Sequence, residues 1–110
     1  SCDTFAPVGP WLVTPDEISN INDLRLWLTV NGKTMQDGNS KNLIFKIPFL
    51  IAYLSEFMTL LPGDIITTGT PAGVGLGQKP APVYLKPGDV VELGIDGLGQ
   101  AKQTLVAWSR

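Results

Sequence analysis

The sequence predicts a mainly β fold of the α+β class, with one short helix around residues 48–58. Three observations lead to this prediction. Apolar and polar residues alternate over residues 24–30, Asn31-Gly32 follows at once, and two Pro-Gly-Asp turns each precede a β-branched pair. With 110 residues, the chain is long enough for one small domain.

A β-hairpin is the clearest element of the sequence. Leu24, Leu26, Leu28 and Val30 occupy alternate positions, so we expect them on one face of a half-buried strand. Asn-Gly is the strongest short hairpin signal because both residues tolerate a left-handed backbone. The returning strand is predicted over residues 33–38.

The helix candidate is Ile47–Met58. Pro48 lies near its start, where the missing N–H costs nothing, and apolar residues recur at helical spacing beyond it. A second helix-start pattern, Thr14-Pro15-Asp16-Glu17, predicts at most a short turn capped by Thr14.

A weak internal repeat occupies the second half of the chain. Residues 60–69 (LLPGDIITTG) match residues 85–94 (LKPGDVVELG), and each predicts a type II turn followed by a strand. A further strand is predicted over Lys102–Trp108, which gives five or six strands in total. Two similar turn–strand units explain the repeat better than a solenoid, which needs three or more copies.

Composition excludes several classes of function. The net charge is −2 without a Lys/Arg cluster, which argues against a nucleic-acid-binding surface, and no apolar run is long enough to predict a membrane span. Histidine is absent, so this chain cannot form a Ser-His-Asp or Cys-His site. Cys2 is the only cysteine, which excludes an internal disulfide and fits a cytoplasmic protein.

The glycine-rich stretch Asp64–Gly77 (DIITTGTPAGVGLG) is the candidate site. Its pattern fits neither a P-loop nor a dinucleotide fingerprint, because Lys79 lies in the wrong context and prolines follow where a helix should begin. Backbone N–H groups and the hydroxyls of Thr68 and Thr70 would then lie at a strand end, where they can bind a carboxylate or carbonyl oxygen. An ordinary glycine-rich connection is the alternative.

The same stretch resembles the fumarylacetoacetate hydrolase family. TGTPAGVG after PGDII, CDTFAPVGPWLVTPDEI near the start and LKPGDVVELGIDGLG near the end are similar to blocks of that family in the same order. The resemblance covers essentially the whole chain, and two blocks look most similar to members of the 2,4-diketo-3-deoxy-fuconate hydrolase type. It implies a mixed β-sandwich or β-roll of the family's C-terminal domain type, in a homodimer.

The resemblance also implies a reaction. Family members bind Mg²⁺ or Mn²⁺, which acts as a Lewis acid on a 2-oxo or 1,3-diketo acid while a carbon–carbon bond is cleaved through an enolate. An isomerase or decarboxylase acting on oxaloacetate or on 2-oxo acids of homoprotocatechuate breakdown is the alternative within the family. A non-catalytic β-rich binding or structural fragment is the alternative from another class.

Site residues follow from the resemblance by position. Thr70, with Gly69 and Pro71 beside it, matches the Gly-Thr-Pro turn that contacts substrate, and Ser40 matches a Ser/Thr that reaches it. Thr4 matches a position near the metal, and Asp3 lies next to it, with turn capping as its alternative role. A simple packing or turn role is the alternative for each of the others.

The chain departs from the family in its acidic ligands. In the family, a Glu-x-Glu pair, a further Asp and a nearby Lys surround the metal, and all match positions upstream of Ser1. We therefore expect residues 1–110 to be the C-terminal part of a single catalytic domain whose upstream metal-binding part is missing. This fragment alone is expected to be inactive.

Overall fold

The structure is a computed structural model that describes residues 3–108. The predicted fold class is confirmed: one antiparallel sheet and one helix dominate. Cys2 lies outside the described residues. The strands are β1 (Arg25–Val30), β2 (Lys33–Asn39), β3 (Val90–Ile95) and β4 (Gly99–Thr104), in the sheet order β2-β1-β3-β4.

The hairpin of β1 and β2 forms as predicted. Asn31 and Gly32 have φ angles of 50° and 77°, the left-handed values that a tight two-residue hairpin turn requires. The pairing is irregular further along, because Leu28 lies opposite Gln36 while Thr29 lies opposite Thr34. Met35 is therefore an extra residue in β2, which makes a β-bulge.

The two faces of the sheet differ in polarity. Leu26, Leu28 and Val30 of β1 lie opposite Ile95, Leu93 and Val91 of β3, so their side chains share one apolar face. Among residues 3–108, Val91 is the only apolar side chain that is buried, with 8% of its surface exposed. The other face has Trp27 packed over Gly94 and ion pairs between Arg25 and Asp37 and between Glu92 and Lys102.

Helix α1 spans Ile47–Ser55, three residues shorter than the predicted 48–58 at its C-terminal end. Pro48 lies in its first turn, as expected. Four aromatic rings spaced four residues apart form a continuous row with centroid separations of 5.0–6.0 Å. These are Phe45, Phe49, Tyr53 and Phe57, and all four are exposed.

The predicted strand over Asp64–Gly69 is wrong. This segment has no strand partner among residues 3–108, and its backbone leads directly into the glycine-rich turn. The predicted last strand, Lys102–Trp108, is shifted, because β4 ends at Thr104. There Leu105 N–H donates to the Asp89 carbonyl at 2.9 Å, and the Leu105 carbonyl accepts from Gly88 N–H at 2.8 Å. The described part of the chain thus has four strands, not five or six.

The predicted turn after Thr14 forms as a 3₁₀ turn over Pro15–Glu17. The Thr14 side chain makes no capping hydrogen bond to this turn, so the predicted capping role is wrong. Instead, hydrogen bonding from Thr14 lowers the pKa of the Asp16 carboxyl below its usual 3.8.

Candidate substrate-binding site

A cavity of about 500 Å³ lies against the apolar face of the sheet, between the β2 end and the start of α1. Its volume lies within the range of small-molecule sites, about 300–1,000 Å³. Most of its wall is aliphatic, and polar groups come from two short segments and from Asn42. The wall contains Thr68–Ala72, Asp37–Ser40, Asn42, and the apolar residues Ile21, Leu24, Leu26, Leu43, Ile47, Ile95 and Leu98.

The turn Gly69–Pro71 forms one side of this cavity. Gly69 has a φ of 90°, a conformation that side chains disfavour. Pro71 lies directly over Gly38 of β2, where an added Cβ would come within 2.7 Å of the Pro71 Cβ. The turn is therefore packed on the strand and not suspended in solvent.

Gln36 of β2 holds the turn from the side. Its Nε2 donates to Thr70 Oγ1 at 2.8 Å and to the Pro71 carbonyl oxygen at 2.7 Å. Sequence reasoning missed Gln36, because a polar residue in a strand gives no local signal of a partner 34 positions away. The bulge at Met35 could not be foreseen either, since it appears only in the pairing register.

Ser40 lies in the cavity wall with 8% of its surface exposed, and its hydroxyl is already engaged. Its Oγ donates to the Ile21 carbonyl at 2.8 Å and accepts from Leu24 N–H at 2.9 Å. The Ser40 backbone N–H also donates to the Leu24 carbonyl at 2.9 Å. Ser40 therefore fixes the 21–24 loop to the end of β2, and one Oγ lone pair remains to accept a bond.

Asp37 belongs to the cavity wall, but its carboxylate pairs with Arg25 on the other face of the sheet. Arg25 binds both of its carboxylate oxygens, at 2.9 Å from Nε and 3.0 Å from Nη2. This hydrogen bonding lowers the pKa of Asp37 below its usual 3.8 and raises the pKa of Arg25. Asp37 stays ionised at neutral pH, so it is unsuited to proton transfer there.

Asp3 and Thr4 are exposed, and neither lines the cavity. Among residues 3–108 no group of three or more His, Cys, Asp or Glu side chains could hold a metal ion. The described residues therefore do not fit the metal cage of a Mg²⁺ or Mn²⁺ enzyme, which needs several oxygen ligands. The structure brings Ser40, Gly69, Thr70 and Pro71 together and leaves Asp3 and Thr4 apart from them.

Comparison with known proteins gives one matching family model, described as the fumarylacetoacetate (FAA) hydrolase C-terminal domain, over residues 1–106. A relative of high similarity is the 2,4-didehydro-3-deoxy-L-rhamnonate hydrolase of Sphingomonas sp. strain SKA58. It is 58% identical over 106 residues, which are 96% of this chain and 37% of the relative. This chain thus spans little more than a third of the length of the curated relatives it matches.

Solved structures share the fold at substantial sequence identity. The fumarylacetoacetate hydrolase of Exiguobacterium antarcticum has a TM-score of 0.92 and 42% identity, over 98% of this chain and 38% of that one. The maleylpyruvate hydrolase of Sphingobium sp. SYK-6, in complex with manganese(II) ion and pyruvate, has a TM-score of 0.83 and 43% identity. That match covers 94% of this chain and 36% of the other.

No helix within residues 3–108 has the length and apolarity needed to cross a bilayer; α1 has nine residues.

Proposed function

Since this chain belongs to the fumarylacetoacetate hydrolase family, we propose that it supplies the substrate-binding wall of a divalent-metal-dependent hydrolase. The reaction is cleavage of a carbon–carbon bond in a 2-oxo or 1,3-diketo acid, such as an acylpyruvate or a diketo-deoxy sugar acid. The observation that supports this proposal is the Gly69–Pro71 turn packed on β2 at the cavity wall. The manganese and pyruvate complex of the 43% identical maleylpyruvate hydrolase supports the ligand class.

Thr70 is the group we assign to the substrate carboxylate or oxo oxygen, with Gly69 allowing the backbone close to it. The cavity is apolar elsewhere, so a few hydrogen bonds determine how a small acid is oriented. Ser40 also lies in the cavity wall and retains one acceptor position for a substrate hydroxyl. Its proposed role is therefore as an acceptor rather than as a nucleophile.

The metal, Mg²⁺ or Mn²⁺, belongs to a part of the protein other than residues 3–108 in this proposal. When bound, it supplies Lewis-acid polarisation of the substrate carbonyl. Asp3 and Thr4 are exposed and lie outside the cavity wall, so in this proposal they act near substrate and metal only together with other parts of the polypeptide. The chain's own residues bind and orient the acid.

The remaining expectations fit the same proposal. Residues 1–110 form the C-terminal part of a single catalytic domain in a cytoplasmic homodimer, and alone they are inactive. Large apolar side chains at Leu12, Ile44 and Val106 are more than four-fifths exposed, which supports a missing covering segment.

The test is an assay of the full-length protein with Mn²⁺ or Mg²⁺ and a panel of acylpyruvates and diketo sugar acids. Hydrolysis releases two products, pyruvate among them for these substrates, whereas decarboxylation releases CO₂ and isomerisation cleaves no carbon–carbon bond. We expect Thr70→Val to lower kcat/KM by about 10- to 100-fold, and Thr70→Ser to retain most of it. Metal-independent turnover, or pyruvate binding without any turnover, would contradict the proposal.

A further inference from the structure

We propose that Gln36 is a positioning residue that makes the Thr70 hydroxyl an obligate hydrogen-bond donor to the substrate. This inference rests on the proposed function, because it specifies how the same site selects its ligand. It predicts a ligand atom at Thr70 that accepts hydrogen bonds and carries no proton, as in a carboxylate or a ketone oxygen.

The Pro71 carbonyl determines the direction of the hydrogen bond between Gln36 and Thr70, that is, which of the two donates. A carbonyl oxygen can only accept, so the amide nitrogen of Gln36 must face the turn, as the 2.7 Å distance to Pro71 O indicates. The second N–H of the same nitrogen then points at Thr70 Oγ1, 2.8 Å away. Both amide hydrogens are thereby used, one on each acceptor.

The Thr70 hydroxyl is left with its own hydrogen to give. Because Oγ1 accepts from Gln36, the hydroxyl cannot donate in that direction. Within residues 3–108 the structure shows no protein acceptor for this hydrogen, and Thr70 lines the cavity. A substrate oxygen in the cavity would therefore receive the hydroxyl hydrogen.

Three features fix Gln36 in this position. It follows the Met35 bulge directly, and a Cβ added at Gly73 would collide with the Met35 carbonyl oxygen and approach Gln36 Cγ to 3.1 Å. Gly38 accommodates the Pro71 ring two residues further along. The donor is thus placed by backbone packing on both sides, so little reorganisation is needed when substrate binds.

The decisive variant is Gln36→Glu, whose side chain has nearly the same shape but replaces the donating NH₂ group with an oxygen that only accepts. Its carboxylate cannot donate, so the Thr70 hydroxyl turns toward it and away from the cavity. We expect pyruvate binding to the full-length protein with Mn²⁺, measured by calorimetry at neutral pH, to weaken at least about tenfold. Lowering the pH protonates the new carboxyl, whose single O–H can again donate to one of the two acceptors, so pyruvate affinity relative to wild type should recover in part.

Two further variants separate positioning from folding. Gln36→Leu cannot donate at any pH, so its loss should show no recovery. Gln78→Glu is the matched control, because Gln78 Nε2 donates to the Gly73 carbonyl at 3.0 Å in the same loop without touching Thr70. We expect it to leave pyruvate affinity within about twofold of wild type.

The outcomes distinguish the inference from the proposed function. If wild-type protein neither binds pyruvate nor turns over any acid, the proposed function fails. If wild type binds and Gln36→Glu binds equally well, the inference fails while the function stands. Equal losses in Gln36→Glu and Gln36→Leu without pH-dependent recovery, together with a lowered Tm, assign Gln36 a structural role and overturn the inference.

Discussion

The two Pro-Gly-Asp turns of the chain have the same local geometry and lead to different structures. Asp64 Oδ2 accepts from Leu61 N–H at 2.8 Å, and Asp89 Oδ2 accepts from Lys86 N–H at 2.7 Å. The glycine before each aspartate, Gly63 in one turn and Gly88 in the other, has a φ angle of 95° or 94°, respectively. Local sequence therefore determines the turn in both copies, as type II geometry requires.

The difference arises from what lies outside each turn. Asp89 Oδ1 accepts from Asn31 Nδ2, Asn31 Oδ1 accepts from Val90 N–H, and strand β3 continues from there. After Asp64 no described strand offers such pairing, so the backbone continues to Thr70 and the cavity. One repeat unit thus builds the sheet and the other builds the site, and long-range partners decide between these outcomes.

The largest expected effect comes from the glycines that end the two units, Gly94 and Gly69. A Cβ on Gly94 would lie 2.9 Å from the Trp27 ring, so Gly94→Ala should lower the free energy of unfolding by about 2–3 kcal/mol. Gly69 has open space around it, so Gly69→Ala should cost about 1–2 kcal/mol from backbone strain alone while weakening pyruvate binding. Urea unfolding of the full-length protein measures the change in stability, and calorimetry measures the change in pyruvate affinity. If only Gly94→Ala weakened pyruvate binding, the assignment of one unit to the sheet and the other to the site would be wrong.

The next effect concerns Asn31, which links the second turn to the sheet. Asn31→Gly preserves the positive φ of 50° and removes the side-chain bonds to Val90 and Asp89; the Val90 bond alone is worth about 1 kcal/mol. Hydrogen bonding, chiefly from Asn31, lowers the pKa of Asp89 below its usual 3.8. Its stabilisation is thus present above that value and lost as the pH falls through the lowered pKa.

The difference in unfolding free energy between wild type and Asn31→Gly should therefore be largest at neutral pH. It should narrow as the pH falls through the lowered pKa of Asp89, toward the pH-independent contribution of the Val90 bond. Unfolding in urea across this pH range measures the difference. If the difference in unfolding free energy stayed constant with pH, the hydrogen bond between Asn31 and Asp89 would contribute nothing to stability.

The smallest effect is expected on the exposed face of β3, where Lys102 Nζ lies 3.0 Å from Glu92 Oε1. Lys102 is 66% exposed and Glu92 is 39% exposed, so solvent screens the pair and Lys102→Met should change the free energy of unfolding by no more than about 0.5 kcal/mol. Thermal unfolding in low and high salt checks this, since a screened surface pair should lose even that small contribution in salt. A larger change in unfolding free energy would mean that the repeat unit over residues 85–94 depends on this ion pair as well as on its Pro-Gly-Asp turn.

Sequence alone predicted the elements that local chemistry determines. The β1 alternation, the Asn31-Gly32 turn and the start of α1 at Pro48 all depend on neighbours within a few positions. The strand expected at Asp64–Gly69 failed because β-branched residues favour a strand only where a partner strand is available.

The candidate site was predictable only where local sequence or the family resemblance marks a residue. Thr70 and its turn were visible as a glycine-rich stretch, and the family resemblance gave them a role. Gln36 was not visible, since its importance depends on a contact between two distant segments and on a bulge that only the pairing register shows. Ser40 was proposed by resemblance, while its hydrogen bonds to Ile21 and Leu24 appear only in three dimensions.

The Met35 bulge also lies in an outermost strand, because β2 has a neighbour on one side only within the described sheet. Straight, regular edge strands are templates on which other chains add and aggregate. An extra residue breaks the even spacing of N–H and C=O groups along that edge and twists it locally. The irregularity that places Gln36 beside Thr70 thereby also makes this free edge a poorer template for the addition of another strand.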